Sequence, residues 1–314
     1  MQEYSRPLSL FNCHLETIFP ALFRKIPRIE PTQERISTSD LDFLDLDWYR
    51  TGSRDLVIIS HGLEGNTKRG YIKGMAEAFI KSGYDALAWN YRGCSGEMNL
   101  TSRFYHSGAT DDLDTVVAHA ASKGGYKKIH LIGFSLGGNI TLKYLGENQG
   151  SVKEVCRAIA ISVPLDLDSS CIALARKENW LYERRFLRSL KKKVREKSNK
   201  MKLPNMDQLD SIRTLREFDN YITGPLHGFK DAADYYARCS SKHFLDNIKI
   251  PTLIINARND PFLSQACYPE KVSNNHIQLQ YPRHGGHVGF TLFNKKNLYW
   301  SEIQALAFIA NYPE

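Results

Sequence analysis

Residues 133–138 read Gly133-Phe134-Ser135-Leu136-Gly137-Gly138, a serine with a glycine two positions to either side. An apolar stretch precedes it and a helical pattern follows. This is the context of a sharp strand-to-helix turn that lifts a serine hydroxyl above a sheet edge. The glycines let strand and helix approach without Cβ clashes, and the backbone at the serine is strained. The N–H groups that open the helix then face the hydroxyl. Such a serine becomes a nucleophile when a base and an orienting acid reach it.

With a nucleophile on a turn of this kind, the chain order is serine, acid, histidine. Downstream, the apolar run Thr252 to Asn256 leads into Ala257-Arg258-Asn259-Asp260-Pro261. Asp260 falls just past a strand end, where open sheets of strands and helices place functional groups. Asn259 cannot carry the negative charge. The base comes from His284-Gly285-Gly286-His287-Val288-Gly289-Phe290, a loop after the last strand pattern. His287 is the candidate and His284 its competitor. The two histidines also suit a metal, but no second cluster of His, Asp or Cys accompanies them. No metal and no cofactor is expected. Acyl transfer further needs two donors for the oxyanion. The N–H of Leu136 supplies one. The loop Ser60-His61-Gly62-Leu63-Glu64-Gly65 supplies the other, through the N–H of Leu63.

These residues must be positioned by regular elements. Pro20, Pro27 and Pro31 break up any long helix in the first part of the chain. Arg35 to Thr38 and Leu41 to Tyr49 read as a hairpin, turning at Ser39-Asp40. Strands and helices then alternate. Leu56 to Ser60, Asp85 to Tyr91, Lys128 to Ile132 and Arg157 to Val163 are strands. Tyr71 to Ser82, Asp111 to Ala121 and Gly138 to Glu147 are helices, with Gly83 and Gly124-Gly125 as stops. The alternation ceases at Pro164 and returns with a helix from Gly228 to Cys239. Strands at Thr252 to Asn256 and His276 to Tyr281 and a helix from Leu298 to Tyr312 complete it. Such alternation predicts a mostly parallel sheet covered on both faces. The organisation is an arm and hairpin over 1–50, a core over 51–164 and 228–314, and a basic helical cap over 165–227, inserted after the sixth strand.

The chain has 314 residues and a formal charge of +8. Twelve Lys/Arg and three Glu lie between Arg176 and Lys202, which leaves the rest at −1. Within that stretch, Arg184 to Val194 places apolar residues at helical spacing. It would cover the core, draw in negatively charged substrates, or associate weakly with an anionic membrane. No aromatic platform accompanies the charge, so nucleic acid is not an expected partner. Met1 to Phe11 lacks the apolar core of a secretory signal, and no run approaches a bilayer span. Six scattered cysteines lack metal or redox spacing. These features predict a cytoplasmic protein. Cys94, beside glycines in a loop, is expected to be structural. His106 and Arg92 either lie near the site or fix loops.

The motifs resemble those of the YheT-like branch of the α/β-hydrolases over nearly the whole chain. The segment Phe11-Asn12-Cys13-His14-Leu15-Glu16-Thr17-Ile18-Phe19-Pro20 is similar to that branch's N-terminal segment, with Cys13 in place of its usual proline. His61 to Gly65, Asn90 to Gly96 and Tyr105 to Gly108 are similar to its core motifs. A spaced pattern through Asp219, Gly228-Phe229, Asp234-Tyr235-Tyr236, Ser240, Ile248, Pro251 and Asn259-Asp260 matches its signature region. The resemblance implies the α/β-hydrolase fold and a triad of Ser135, Asp260 and His287. It favours His287 over His284 because the branch motif reads Gly-Gly-His-x-Gly-Phe. Asn259 departs from the branch's more frequent acid, but the mapped position is Asp260. The activity implied is hydrolysis of small-molecule carboxylic esters with short- to medium-chain acyl groups. The alternatives are an acylglycerol or phospholipid lipase, an ester-forming acyltransferase at a membrane surface, and a ligand-binding protein on a hydrolase scaffold.

Overall fold

The computed structural model describes all residues except 1–2, 27, 124, 148–151 and 312–314. Met1, Pro27, Gly124 and Tyr312, named above, therefore lie outside the described residues. Among the described residues, eight strands form one sheet: β1 (Thr32–Ser37), β2 (Phe43–Tyr49), β3 (Asp55–Ser60), β4 (Asp85–Asn90), β5 (Lys128–Phe134), β6 (Val155–Ile161), β7 (Thr252–Ile255) and β8 (Ile277–Gln280). Their order is β1-β2-β4-β3-β5-β6-β7-β8. The pairs β1–β2 and β2–β4 are antiparallel, and every later pair is parallel. The hairpin is thus the edge of the same sheet.

The helices are α1 (Cys13–Phe23), α2 (Gly70–Ile80), α3 (Thr110–Ser122), α4 (Leu136–Gly146), α5 (Leu167–Leu174), α6 (Trp180–Ser198), α7 (Leu215–Phe218), α8 (Gly224–Leu226), α9 (Ala232–Cys239) and α10 (Trp300–Asn311). Side chains alternate across a strand, and β3 shows the consequence. Val57 and Ile59 pack with Met75 and Phe79 of α2 and Phe308 of α10. Leu56 and Ile58 point the other way, onto Val116 of α3 and Ile140 of α4. Both faces are buried, which is why the central strands read as continuous apolar runs.

The segment between β6 and β7 carries α5 to α9 and, among the described residues, no strand. Its longest helix, α6, turns Leu187 and Val194 inward, together with the charged Glu183, Lys191 and Lys197. Each buried charge has partners. Glu183 accepts the Leu215 N–H at 3.0 Å, and Lys191 donates to the Ile212 carbonyl at 2.7 Å. Lys197 donates to Asn99 Oδ1 and to the Thr101 and Arg103 carbonyls at 2.7–2.9 Å. Burial and the neighbouring Arg92 and Lys193 lower its pKa to about 7. The basic stretch is therefore only partly a solvated face: three of its charged residues fasten loops.

Three sequence expectations shift. The helix expected from Gly228 starts instead at Ala232 (α9), because Gly228 takes φ 73° and Asp231 caps the helix by accepting the Asp234 N–H. The arm holds an 11-residue helix, α1, with Pro20 inside it. Asn12 caps that helix by accepting the Leu15 N–H, which fixes where it starts. Helix α4 starts at Leu136 rather than Gly138, because the turn runs directly from the serine into helix.

Candidate active site

Ser135 lies between β5 and α4 with φ 52° and ψ −118°. A non-glycine residue at positive φ is strained and persists only where its surroundings over-determine it. Here the flanking glycines do so. A Cβ on Gly137 would stand 2.5 Å from the Ser60 carbonyl oxygen, and one on Gly133 would collide with the Gly137 backbone. The Ser135 N–H is held by the Ile161 carbonyl at 2.8 Å.

His287 meets the serine. Its Nε2 is 3.0 Å from Ser135 Oγ, and its Nδ1 is 2.8 and 3.1 Å from the two oxygens of Asp260. With Nδ1–H donating to the carboxylate, Nε2 is left to accept the serine proton. Asp260 is buried in the loop that follows β7 and also accepts the Phe262 N–H at 2.9 Å. The Phe262 ring lies against the imidazole, with centroids 4.3 Å apart. His284, the competitor, has a buried Nδ1 with no hydrogen-bond partner among the described residues, and burial lowers its pKa.

Sequence spacing did not reveal what holds these loops. Glu16 and Thr17 of α1 do so. Thr17 Oγ1 accepts the His287 N–H at 2.9 Å, and the buried Glu16 carboxylate accepts from the Asn259 amide and the Gly285 N–H. Asn259 Oδ1 in turn accepts the Gly286 N–H at 3.1 Å. Asn259 therefore ties the acid loop to the histidine loop. Glu16 and Thr17 lie in the N-terminal motif noted above, and that motif was the only signal of them.

The loop after β3 packs against Ser135. A Cβ on Gly62 would come 3.2 Å from Ser135 Cβ. Leu63 follows, and its N–H donates to no group among the described residues. Leu136, as the first residue of α4, has no carbonyl one helical turn before it. His61 is buried, donates Nδ1–H to the Gly62 carbonyl and accepts the Tyr91 N–H on Nε2. Burial lowers its pKa to about 3, so it is a neutral brace.

The other singled-out residues separate from the serine. Arg92 is buried and pairs with Asp40, Asp42 and Asp112. Cys94 is a buried thiol, raised to about 11 by burial. His106 lines the cavity beside His227, with ring centroids 4.5 Å apart. Among the described residues no group of three or more His, Cys, Asp or Glu is placed to hold a metal.

Above Ser135 and His287 lies a cavity of about 850 Å³, walled by Leu63, Tyr105, Phe186, Phe218 and Phe262 among others. A largely apolar cleft of this size with a few convergent polar groups is the usual form of a small-molecule site. The fold and this site define an ester hydrolase of the α/β class. The chain belongs to the family described as the alpha/beta hydrolase fold, whose model matches residues 55–292, and within it to the YheT-like branch. It is 37% identical over 287 residues to the Escherichia coli K12 protein named "Putative esterase YheT", covering 89% of this chain and 84% of that one. It is 30% identical over 288 residues to the mouse protein named Phospholipase ABHD3, covering 88% of this chain and 70% of the relative. The esterase PF2001 of Pyrococcus furiosus shares the fold at a TM-score of 0.61 and 19% identity, over 92% of this chain and 97% of that one.

Proposed function

We propose that the chain is a serine hydrolase that cleaves short- to medium-chain carboxylic esters through an acyl-enzyme. The observation that carries this is the continuous hydrogen-bonded series Ser135–His287–Asp260 beneath an apolar cavity. Ser135 Oγ attacks the ester carbonyl carbon while His287 Nε2 takes its proton. Asp260 orients the ring and stabilises the imidazolium. The N–H groups of Leu63 and Leu136 hold the oxyanion. Collapse expels the alcohol, which takes the proton from Nε2. Water then gives a proton to Nε2 and attacks the acyl carbon. The second collapse frees the acid and returns the proton to Ser135. Residues 165–227 serve as the cap over this chemistry. The six free thiols suit a reducing cytoplasm.

Two measurements test this. A fluorophosphonate probe is expected to label Ser135. Across p-nitrophenyl esters, kcat/KM is expected to rise about fourfold per added methylene, since burying each is worth about 0.8 kcal/mol. It levels once the acyl chain outgrows the cavity. Absence of labelling, together with no ester turnover, would sink the reading.

One observation favours a lipid surface as the place where such esters are met. Leu22 of α1 and Leu181 of α6 both line the cavity and are 64% and 59% exposed. His14 and Tyr182 stack between the two helices, 5.8 Å apart, so the apolar residues share one mouth. Trp180 beside it is 52% exposed and lies under the Arg184 guanidinium. An apolar rim with adjacent cations suits the interface of an anionic bilayer. Co-sedimentation with vesicles containing phosphatidylserine is expected to exceed that with neutral vesicles and to weaken in salt. Binding to neither would confine the enzyme to dissolved esters.

A further inference from the structure

We infer that the cap helix α6 sets the oxyanion-holding turn through Glu64, which makes Lys193 and Ser189 positioning residues for the reaction. The inference rests on the acyl-transfer reading above, since it concerns the donor that reading assigns to Leu63.

Residues Gly62 to Gly65 form a tight turn closed by the Gly65 N–H on the Gly62 carbonyl at 3.0 Å. Glu64, the third residue, has φ 52°, and Leu63 does not share the positive φ. That pattern belongs to turns whose third position favours glycine or asparagine. Nothing inside the turn calls for a glutamate there. What accounts for it lies outside. Its carboxylate accepts from Tyr105 Oη at 2.6 Å, from Lys193 Nζ at 2.8 Å and from Ser189 Oγ. Tyr105 Oη also accepts the Glu64 N–H at 2.9 Å. Two of the three donors to the carboxylate therefore come from α6, more than 120 residues further along. The side chains of Glu64 and Lys193 are 6% and 17% exposed, so this is not the screened surface pair that contributes little. Lys193 is fixed a second time by Cys94 Sγ at 3.1 Å.

The other side of the turn faces the nucleophile, through the contact of Gly62 with Ser135. Leu63 thus stands between a glycine against Ser135 and a strained glutamate fastened to the cap. A displaced α6 would release Glu64 toward ordinary backbone and swing the Leu63 N–H away from the developing oxyanion. The same helix walls the cavity with Phe186, Leu190 and Val194. Seating of the cap over a bound acyl chain and completion of the oxyanion hole are consequently one event. A donor misplaced by about 1 Å is enough to cost 10²-fold.

The test compares wild type with Lys193→Met, Glu64→Gly and Lys193→Arg, using p-nitrophenyl esters and an alkylboronic acid that forms a tetrahedral adduct on Ser135. Glu64→Gly is informative because glycine relaxes the turn yet cuts the tether to α6. Lys193→Met and Glu64→Gly are expected to lose roughly 10- to 100-fold in kcat with KM changed by less than about threefold. Boronate affinity falls in parallel, and Lys193→Arg recovers most of the rate. If Lys193→Met fails to fold, Glu64→Gly and Lys193→Arg carry the test. Wild-type kcat in Glu64→Gly, or losses confined to KM, would overturn the inference while leaving Ser135 as nucleophile. A wild type that turns over no ester would instead overturn the reading beneath it.

Discussion

Ser135→Ala is expected to lower kcat for ester hydrolysis by about 10⁶-fold, because removing a nucleophile from a triad costs as much as removing the whole triad. The remaining rate comes from the oxyanion donors and from substrate binding, so KM should move little. The loss belongs to chemistry and not to folding. Ser135 Oγ is 3.0 Å from His287 Nε2, and alanine keeps the Cβ that packs against Gly62. The melting temperature of the alanine variant should match wild type. Ser135→Gly sharpens the point. Glycine accepts φ 52° without strain, so this variant should be equally inactive and more stable, strain at such positions being worth about 1–3 kcal/mol. Steady-state rates and calorimetric melting on both variants check this. Activity within tenfold of wild type in either would remove Ser135 from the reaction.

The same strain explains why this part of the site was legible in the sequence. A nucleophile at positive φ between a strand and a helix tolerates few residue types around it, so six consecutive residues announce the geometry. Chain order then pointed to Asp260 and His287, because both follow strand ends that β7 and β8 supply. Less was legible where local rules conflict with packing. Gly137 and Gly138 carry little helix signal, and the expected start of α4, at Gly138, falls two residues late. Both are in fact helical and buried, and close approach to the Ser60 carbonyl and to Val163 excludes a side chain. Pro20 read as a breaker but sits in an 11-residue helix capped by Asn12. Glu16 and Thr17 could not be derived from spacing at all. Their contacts with Gly285 and His287 span about 270 residues, and no local period encodes such a pairing. The basic segment was visible as charge. That Lys193 and Lys197 turn inward was not, since their partners lie on loops near Glu64 and Asn99.

Asp260→Asn is the second large effect, an expected fall of about 10⁴-fold in kcat from a change of one atom. The amide fills the same volume, so the buried position is kept. What changes is the proton on the ring. The Asp260 carboxylate accepts from His287 Nδ1–H, which leaves Nε2 with a lone pair toward Ser135 Oγ. An asparagine can present its N–H₂ to Nδ1 instead. The imidazole then carries its proton on Nε2, facing the serine as a second donor, and no base remains. The carboxylate also balances the imidazolium that forms as Ser135 attacks, and the amide cannot. Asp260 lies beneath His287 with its side chain fully buried, so KM should hold within a few-fold while kcat collapses. The neighbouring residue shows why the acid must stand at 260. Asn259 faces α1, where its amide donates to Glu16 and its oxygen accepts from Gly286. A negative charge there would oppose Glu16 and would not reach the imidazole. Loss in Asp260→Asn confined to KM, or a rate within tenfold of wild type, would mean that His287 takes its orientation from Thr17 and Phe262 alone.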